Sequence, residues 1–459
     1  MVNWRSSRVL IIGAARQGLA LGRFLASHGA DVVLTDRRQP EELELERSSL
    51  ADLNIEWALG GHPAHLLDGC DWVCPSGGVP LTLPIIVEAQ ERGIPLSNDS
   101  QIFLDAAPCK VIGITGSAGK TTTTTLAGRM VTAALGTERT WVGGNIGNPL
   151  IANIGSMAPD HIAVMEISSF QLEIMDRAPQ IAAVLNITPN HLDRHLTMEA
   201  YTNAKANILR HQTADNIAVL GLSDPGAWRL RADVRGKLLT FGNNRPADTT
   251  IGTFLRDGMI SFWNGKSSQA LFSKDLCLLK GEHNLLNVLA ACTLAMAAEL
   301  PVAAIRAGVE GFTGVAHRLE HVRDWGEAAW YNDSIATAPE RAMAAILSFD
   351  QPLVLLAGGR DKDLPWEAFA ALVRERVDHL IIFGEARAII ARAMESGSAG
   401  VRPYSVDICD GLQEAVWKAS QIKEPGDAVL LSPGGTSFDE FHDFAERGEW
   451  FRKWVNKLP

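Results

Sequence analysis

Residues 111–125, with the sequence VIGITGSAGKTTTTT, constrain the fold of this chain more than any other segment. An apolar strand runs into Gly116, Gly119 and Lys120, and the threonines that follow can begin a helix. Glycines let backbone N–H groups turn around phosphate oxygens, while a helix N-terminus and a lysine add positive charge. The segment therefore predicts a nucleotide-binding strand, loop and helix.

A metal ion is expected beside the phosphates. Thr121 or Thr122 would offer a hydroxyl oxygen to Mg²⁺. The strict Walker spacing requires a glycine where Ile114 stands, so this motif is met only approximately. The flanking strand and helix nevertheless favour nucleotide binding over an ordinary glycine-rich turn.

The composition limits the class of protein. A chain of 459 residues, 46% of them hydrophobic, predicts about two to four domains with sizeable cores. The net charge of −11 argues against a nucleic-acid partner, because phosphates are neutralised by basic surfaces. The six cysteines form no Cys-x-x-Cys pair, and neither a signal-peptide pattern nor a membrane-length apolar run occurs. We expect a cytoplasmic protein with reduced thiols and no membrane partner.

Three successive segments each begin with an apolar strand that leads into a turn and a helical pattern. This alternation predicts an α/β protein of three domains, at 1–105, 106–300 and 301–459. The first and third domains are expected to be Rossmann-like, and the central one to be a phosphate-loop ATPase domain with a parallel sheet. Hairpin-like sequence within 237–280 predicts a small antiparallel part in the central domain.

The first domain has an imperfect dinucleotide-binding turn, GAARQG, at residues 13–18. The middle glycine, which would let the backbone approach a pyrophosphate, is missing. Asp36 ends the second predicted strand, where a ribose-binding acid would lie. From the residues alone, a weak NAD site, a plain strand–helix turn and a site for a different nucleotide all remain open.

Polar residues follow two predicted strands of the central domain. Glu166 ends the strand HIAVM, and a carboxylate near a phosphate loop is well placed to hold Mg²⁺. The next strand leads to the dense cluster of His191, Asp193, Arg194 and His195. A cluster of this density directly after a strand favours a functional role over an ordinary surface.

Seven sequence strings occur in a fixed order, namely TGSAGKTTT, GGNIGNP from Gly143, EISSFQLE from Glu166, NITPNHLDRH from Asn186, GEHN from Gly281, HRLE from His317 and NDSIAT from Asn332. Together they resemble the Mur ligase family, which comprises ATP-dependent amide-forming enzymes of peptidoglycan precursor synthesis. The resemblance covers essentially the whole chain. The length, the string EISSFQLE and the ending LSPGGTSFDEFHDFAERG are most similar to the branch that adds D-glutamate.

The resemblance implies a ligase that adds D-glutamate to UDP-N-acetylmuramoyl-L-alanine through an acyl phosphate, with release of ADP and phosphate. The implied cofactors are ATP, two Mg²⁺ ions and a CO₂-derived carbamate on Lys205. The UDP-sugar and glutamate are the implied partners, and a monomer is expected. The first domain would hold the UDP end, the central domain ATP and the third domain the amino acid.

The resemblance also assigns roles to individual residues. Lys120, His191 and Lys205 would be catalytic, although spacing alone gives Lys205 no role beyond sharing a helix face with Tyr201. The ATP contacts would be Gly116, Gly119, Lys120, Thr121, Thr122, Asn284, Arg318 and Asp333. The metal ligands would be Thr121, Glu166, His191 and carbamylated Lys205. The UDP-sugar would contact Gly13, Ala14, Ala15, Arg16, Asp36, Arg37, Ser76, Gly77, Gly78, Asn145 and Gln171, and glutamate would contact Thr337, Lys362, Ser437 and Phe444.

The chain departs from the family pattern in the third domain. Ile335 stands where the D-glutamate enzymes usually have lysine, and SPGGTS replaces the usual SPACAS. An anionic side chain normally binds a cation, so the identity and stereochemistry of the amino acid stay open. Lys362 and Arg360 are candidates to compensate. The phosphate loop also has Ala118 in place of the usual asparagine.

Alternative functions lie both inside and outside the family. Inside it are the addition of L-glutamate or another amino acid, and a folylpolyglutamate-type enzyme, which lacks a UDP-binding first domain. An NAD-dependent oxidoreductase would leave the loop at Lys120 unexplained. A nucleotide-gated binding module would turn over no ATP with any amino acid.

Overall fold

A computed structural model describes residues 4–190, 192–245, 247, 250–279, 281–362, 364–395 and 402–459, without the side chains of residues 192 and 193. The chain divides into two compact units, Met1–Phe312 and Thr313–Pro459. Both units are built from mostly parallel strands and helices, which confirms the predicted α/β class. No helix in the described part of the chain is long and apolar enough to cross a membrane.

The first unit begins with a four-stranded parallel sheet. Its strands are β1 (Arg8–Ile12), β2 (Asp31–Asp36), β3 (Ile55–Leu59) and β4 (Trp72–Pro75), and its helices are α1 (Arg16–Ser27), α2 (Glu44–Ser49), α3 (Pro84–Glu91) and α4 (Asp99–Ala106). The strand order is β3-β2-β1-β4. Because β1 pairs in parallel with both β2 and β4, the turns that follow these three strands lie at one edge of the sheet.

A nine-stranded sheet forms the rest of the first unit. Its strands are β5 (Lys110–Thr115), β6 (Thr140–Gly144), β7 (Ile162–Glu166), β8 (Ile181–Val184), β9 (Ile217–Gly221), β10 (Lys237–Gly242), β11 (Ile251–Arg256), β12 (Met259–Trp263) and β13 (Ser268–Ser273). The order is β13-β12-β11-β10-β9-β8-β5-β7-β6. Strand β12 pairs antiparallel with both β11 and β13 while the other pairs are parallel, which confirms the predicted parallel sheet with a small antiparallel part.

The helices of this sheet are α5 (Lys120–Leu135), α6 (Ser169–Leu172), α7 (Leu192–His195), α8 (Met198–Arg210), α9 (Pro225–Arg229), α10 (Glu282–Ala297) and α11 (Val302–Val309). Helix α11 packs closely on α5, and Gly308 leaves no room for a Cβ against Met130. Arg129 of α5 donates to the carbonyl oxygens of Gly308 at 2.7 Å and Glu310 at 2.8 Å. Residues 302–310 therefore pack with the phosphate-loop helix, while the domain boundaries at 105 and 300 stay predictions.

The second unit has a six-stranded sheet. Its strands are β14 (Glu320–Trp325), β15 (Ala328–Asn332), β16 (Leu353–Gly358), β17 (His379–Phe383), β18 (Ser405–Ile408) and β19 (Ala428–Gly434), and its helices are α12 (Pro339–Ile346), α13 (Glu367–Arg376), α14 (Arg387–Glu395), α15 (Leu412–Ile422) and α16 (Phe444–Lys457). The order is β14-β15-β19-β16-β17-β18, and only β14 is antiparallel. Because β19 lies between β15 and β16, the loops after these three strands are neighbours.

Candidate functional site

The phosphate loop connects β5 to α5 inside the nine-stranded sheet. Gly119 has a φ of +80°, a left-handed conformation that favours glycine, and α5 begins at the next residue. The Lys120 ammonium donates to the carbonyl oxygens of Gly116 at 2.9 Å and Ser117 at 3.3 Å. The lysine thus lies folded over the loop that would receive phosphates.

Glu166 is the predicted carboxylate at the carboxyl end of β7. The pairing of β7 with β5 places Glu166 beside Ile114, just before the phosphate loop. The residue is 1% exposed, and its carboxylate accepts hydrogen bonds from Thr121 Oγ1 and Asn145 Nδ2, each at 2.8 Å. A buried carboxylate beside a hydroxyl is a hard oxygen donor pair of the kind that Mg²⁺ prefers.

Lys205 of α8 reaches the same loop and is 1% exposed. Its Nζ donates to the carbonyl oxygen of Gly116 at 2.9 Å and to Thr115 Oγ1 at 3.4 Å. Burial lowers the pKa of Lys205 well below its usual value, the charge of Lys120 lowers it further, and Glu166 opposes the shift. Two lysines therefore converge on one carbonyl oxygen, and the environment of Lys205 favours its neutral amine.

Several polar residues that support the loop were missed by the sequence analysis. The Tyr201 hydroxyl donates to Ser117 Oγ at 3.0 Å, and Ser117 Oγ lies 3.0 Å from the Thr188 carbonyl oxygen. The Asn186 amide accepts from the Ala118 N–H at 2.8 Å and donates to its carbonyl oxygen at 3.1 Å. Asn186 lies two residues after the buried strand β8, at the carboxyl end of a parallel strand, which is also where Glu166 was predicted.

Helix α10 places two asparagines near the start of α5. Asn284 was predicted, whereas Asn287, one turn later, was missed. The Asn287 Nδ2 donates to Asn284 Oδ1 at 3.3 Å, and the Asn287 side-chain oxygen would collide with a Cβ at Gly119. The sequence signal for Asn287 was its spacing, because residues three positions apart lie on one face of a helix.

The histidine cluster divides into a part that the structure describes and a part that it does not. His191 and the side chain of Asp193 lie outside the described residues. His195 is buried, its Nε2 lies 3.0 Å from Ser169 Oγ, and its ring stacks on Phe170 with centroids 5.3 Å apart. His195 thus packs α7 against α6, and its ring also lies 5.2 Å from that of Tyr201 on α8.

Hydrogen bonds hold the glycine turn after β1 from two sides. Gly13 has a φ of +101°, and its carbonyl oxygen accepts from Ser76 Oγ at 3.0 Å. Ala15 is the N-cap of α1 without a side-chain hydrogen bond, so the first N–H groups of that helix face the turn. Arg16 donates to the Gly147 carbonyl oxygen at 2.9 Å, which links the turn to the GGNIGNP segment.

Asp36 fixes the conformation of the same turn. Its carboxylate accepts from the Ala14 N–H at 2.7 Å and from Arg38 Nε at 3.1 Å. Burial raises the pKa of Asp36, but hydrogen bonds from Arg38 and Ala14 outweigh it and hold the pKa at about 2. Arg38 is therefore the arginine that binds Asp36, and the contact of exposed Arg37 with the UDP-sugar stays a prediction.

A small cavity lies where three predicted UDP-sugar residues, Ser76, Gly77 and Gln171, meet. Asn98 and Arg194 complete its polar lining. The Asn98 amide donates to the Gln171 carbonyl oxygen at 2.9 Å, which joins the start of α4 to α6. The turn of the first sheet and the helix after Glu166 are thus brought to one place.

The second unit brings Arg318 and Asp333 together. Asp333 follows β15, is buried, and accepts from Ser432 Oγ at 2.9 Å and the Leu319 N–H at 3.1 Å. Burial raises the pKa of Asp333 to about 6, although these hydrogen bonds and the charge of Arg318 oppose the shift. Both predicted ATP contacts of this unit therefore lie at the carboxyl end of β15.

Arg447 of α16 was missed, although it is fully buried. Its guanidinium donates to the carbonyl oxygens of Ser334 at 2.8 Å, Gly435 at 3.1 Å and Thr436 at 2.9 Å. Burial lowers its pKa to about 10. This arginine ties the loop after β15 to the loop after β19.

The four residues predicted to bind glutamate lie at the same edge of the six-stranded sheet. Thr337 follows β15, Lys362 follows β16, buried Ser437 follows β19, and Phe444 begins α16. Their loops are neighbours because β19 separates β15 from β16. The six-stranded sheet therefore gathers four residues from four separate segments.

Three family models match successive parts of the chain: Mur ligase MurD-like, N-terminal domain at residues 7–98, Mur ligase middle domain at 114–295, and Mur ligase, glutamate ligase domain at 317–435. A UDP-N-acetylmuramoylalanine--D-glutamate ligase of Symbiobacterium thermophilum is 39% identical over 452 residues, which are 98% of each chain. One of Geotalea uraniireducens is 37% identical over 99% of this chain and 98% of its own. The chain belongs to the Mur ligase family.

Solved structures of Mur ligases share the fold. The UDP-N-acetylmuramate-alanine ligase MurC from Thermotoga maritima matches with a TM-score of 0.53 and 18% identity, over 98% of this chain and 99% of its own. A murein peptide ligase from Psychrobacter arcticus matches with a TM-score of 0.52 and 14% identity, over 99% of this chain and 100% of its own. At these identities the likeness concerns the Mur ligase architecture alone.

Proposed function

We propose that this Mur ligase joins D-glutamate to UDP-N-acetylmuramoyl-L-alanine at the expense of ATP, in peptidoglycan precursor synthesis. The observation that carries the proposal is the convergence of Lys120, Lys205 and Glu166 on the phosphate loop. Relatives of 35–39% identity over nearly the full length bear the corresponding name. The product is an amide, so the enzyme is a ligase that forms a carbon–nitrogen bond.

The chemistry proceeds in two transfers. The free carboxylate of the UDP-sugar attacks the γ-phosphorus of ATP, the bond to ADP breaks, and an acyl phosphate forms. The amine of glutamate then attacks the acyl carbon, and the tetrahedral intermediate collapses to the amide and phosphate. Lys120 would exchange its contacts with the Gly116 and Ser117 carbonyl oxygens for phosphate oxygens and offset their developing charge.

Thr121 and Glu166 are the residues that would hold one Mg²⁺ ion. Their side chains are buried and hydrogen-bonded to each other, so both oxygens already face one point. The ion supplies positive charge beside the transferred phosphoryl group when it is bound. Asn145 orients the second oxygen of the Glu166 carboxylate. His191 is proposed to help hold a second ion.

Lys205 is proposed to carry a carbamate. Its neutral amine would attack the carbon of CO₂, form an N–C bond and release one proton. The lowered pKa of Lys205 supports this step because only the unprotonated nitrogen is a nucleophile. A carbamate would also replace the repulsion between Lys120 and Lys205 with attraction and provide an oxygen ligand for metal.

The remaining substrates are proposed to bind on the flanking sheets. The UDP end would lie at the turns of residues 13–16 and 76–78, near the open N-terminus of α1. Glutamate would lie at the loops that carry Thr337, Lys362 and Ser437. We also propose the three-domain division at 105 and 300, a monomer, and a cytoplasmic location.

Release of phosphate from ATP tests the proposal. The purified chain is incubated with UDP-N-acetylmuramoyl-L-alanine and either D- or L-glutamate, and we expect turnover with the D-enantiomer. Turnover with L-glutamate alone would keep the ligase chemistry and change the named amino acid, an alternative that Ile335 leaves open. Absence of turnover with both enantiomers would contradict the proposed function.

A further inference from the structure

The histidine cluster after β8 contains a cation, Arg194, to which the proposed function gives no role. Its side chain lies on α7 and lines the small cavity where Ser76 and Gly77 meet Gln171 of α6. Each of these three neighbours is predicted to contact the UDP-sugar. Arg194 therefore lies where the histidine cluster approaches the proposed binding site for the UDP-sugar.

Arg194 is hydrogen-bonded to the turn that follows β4. One terminal nitrogen of its guanidinium donates to the Gly78 carbonyl oxygen at 3.3 Å, and the other donates to the Val79 carbonyl oxygen at 3.1 Å. Both bonds have a charged donor, and such bonds are stronger than those between neutral groups. The turn is thereby attached to the segment after β8, across 115 residues of sequence.

The aromatic ring of Phe170 on α6 also holds the guanidinium of Arg194. The central carbon of the guanidinium lies 4.3 Å from the ring centroid, a distance typical of a cation–π contact. The His195 ring stacks on the same phenyl ring with an angle of 8° between the two planes. Arg194 is therefore oriented before a ligand arrives, which reduces the conformational entropy lost on binding.

The first sheet holds the other half of the same turn. The Gly77 N–H donates to Gln17 Oε1 of α1 at 3.1 Å, and Ser76 Oγ donates to the Gly13 carbonyl oxygen at 3.0 Å. The first two residues of the turn are thus bonded to the first sheet and its helix, and the next two are bonded to Arg194. Loss of the arginine should therefore loosen the second half of the turn more than the first.

We propose that Arg194 is a positioning residue for the UDP-sugar, which holds the turn at residues 76–79 in the conformation that binds the UDP end of that substrate. This inference rests on the proposed function. A turn binds a ligand well only while its backbone groups keep one arrangement, because hydrogen bonds depend on direction as well as on distance. Arg194 supplies that order from α7, outside the sheet to which the turn belongs.

Two measurements on the purified full chain test this role. Arg194→Ala should raise the Kd for UDP-N-acetylmuramoyl-L-alanine about tenfold, because two charged hydrogen bonds that order the turn are lost. Calorimetry with Mg²⁺ and a non-hydrolysable ATP analogue measures this constant without turnover. The Val79 N–H, which donates to the Ser76 carbonyl oxygen at 2.9 Å, should exchange its hydrogen about tenfold faster in the variant, and the Gly77 N–H should change less.

Two further variants serve as controls. Arg194→Lys keeps the charge but not the planar fork of donors, so it should recover part of the affinity. Arg177→Ala removes another cation of the same unit, paired with Asp105 at 2.6 Å, and should change neither the Kd nor the exchange at Val79. In turnover assays of Arg194→Ala, the KM for the UDP-sugar should follow the Kd, while kcat and the KM for ATP change less than about twofold.

The outcomes distinguish this role from the alternatives. An unchanged Kd in Arg194→Ala would overturn the inference, and so would a raised Kd without faster exchange at Val79, because the arginine would then contact the ligand directly. Equal losses for ATP and the UDP-sugar would also overturn it, since they indicate general loss of structure. A wild-type chain that binds no UDP-sugar would instead contradict the proposed function.

Discussion

At the scale of single residues, the most unusual feature is that Lys120 and Lys205 donate to the same carbonyl oxygen, that of Gly116. Such an arrangement holds two ammonium groups close together, which raises the free energy of their charged forms. Burial adds to this effect at Lys205. The site is therefore organised to receive negative charge, which fits the proposed phosphates at Lys120 and the proposed carbamate at Lys205.

Replacement of Lys205 tests the carbamate. Lys205→Ala should lose at least about 100-fold in kcat, because it removes the proposed metal ligand and the proposed anion beside Lys120. Added short carboxylates, which can occupy the space of the missing carbamate, should restore part of the activity. The wild-type chain in ¹³C-bicarbonate should show a carbamate carbon by NMR, and the variant should not. If the wild-type chain and the variant gave the same NMR spectrum, and short carboxylates did not restore activity to the variant, the carbamate role would be contradicted.

The positions of candidate site residues were predictable where the strand pattern located them. Glu166 could be inferred because a polar residue at the carboxyl end of a buried parallel strand faces the ligand edge of the sheet. The contact of Arg38 with Asp36 could not be inferred, because the turn after β2 decides which side chain points back to Asp36. The role of Arg447 was equally hidden, since a polar helix face gives no sign that one of its cations is buried.

At the scale of elements, α5 depends on Gly119 for its start. The residue combines a φ of +80° with close contact to the Asn287 side chain of α10. A side chain at this position would therefore strain the backbone and push α10 away from the phosphate loop. Helix α5 also packs against α11, so its start is coupled to the packing of the sheet.

Two glycine substitutions at opposite ends of α5 separate these effects. Gly119→Ala should raise the KM for ATP at least about tenfold and lower the free energy of unfolding by about 2 kcal/mol, through strain and the collision with Asn287. Gly136→Ala also has a positive φ, of +85°, but no atom within 4 Å of the added Cβ. It should lower stability by about 1 kcal/mol and leave the KM for ATP unchanged. Equal KM values in both variants would show that the contact with Asn287 is unimportant.

At the scale of the whole molecule, a buried acid at the junction of the two sheets of the first unit links stability to pH. Asp99 begins α4, is 4% exposed, and one of its oxygens has no hydrogen-bond partner among the described residues. The other accepts weakly from Gln17 of α1, at 3.5 Å. Burial raises the pKa of Asp99 from 3.8 to about 6, although nearby amides oppose the shift.

This shift fixes the sign of the pH dependence. The folded chain holds a proton on Asp99 that the unfolded chain releases between pH 3.8 and about 6. The bound proton therefore stabilises the folded chain fully below pH 3.8, and this stabilisation is lost as the pH rises through about 6. The free energy of unfolding lost in this way is at most about 3 kcal/mol. The free energy of unfolding of Asp99→Asn, relative to that of the wild type, should therefore be higher at pH 7 than at pH 4.5.

Urea unfolding at the two pH values measures the difference. The control Asp215→Asn changes an exposed acid of the same unit and should follow the wild-type chain at both. A gain in Asp99→Asn that is the same at pH 4.5 and pH 7 would show that Asp99 does not carry this pH dependence.

The sequence by itself determined the α/β class, the phosphate loop, the antiparallel part and the family, because these depend on local periodicity and on the order of short strings along the chain. Only the tertiary structure decided that Lys205, 89 residues from Gly116, shares its carbonyl oxygen with Lys120. It also decided that Asn287 of α10 lies against Gly119 of the phosphate loop. The physical reason is that proximity between distant residues depends on how helices pack over a sheet, and the pattern of one element does not contain the position of its neighbours.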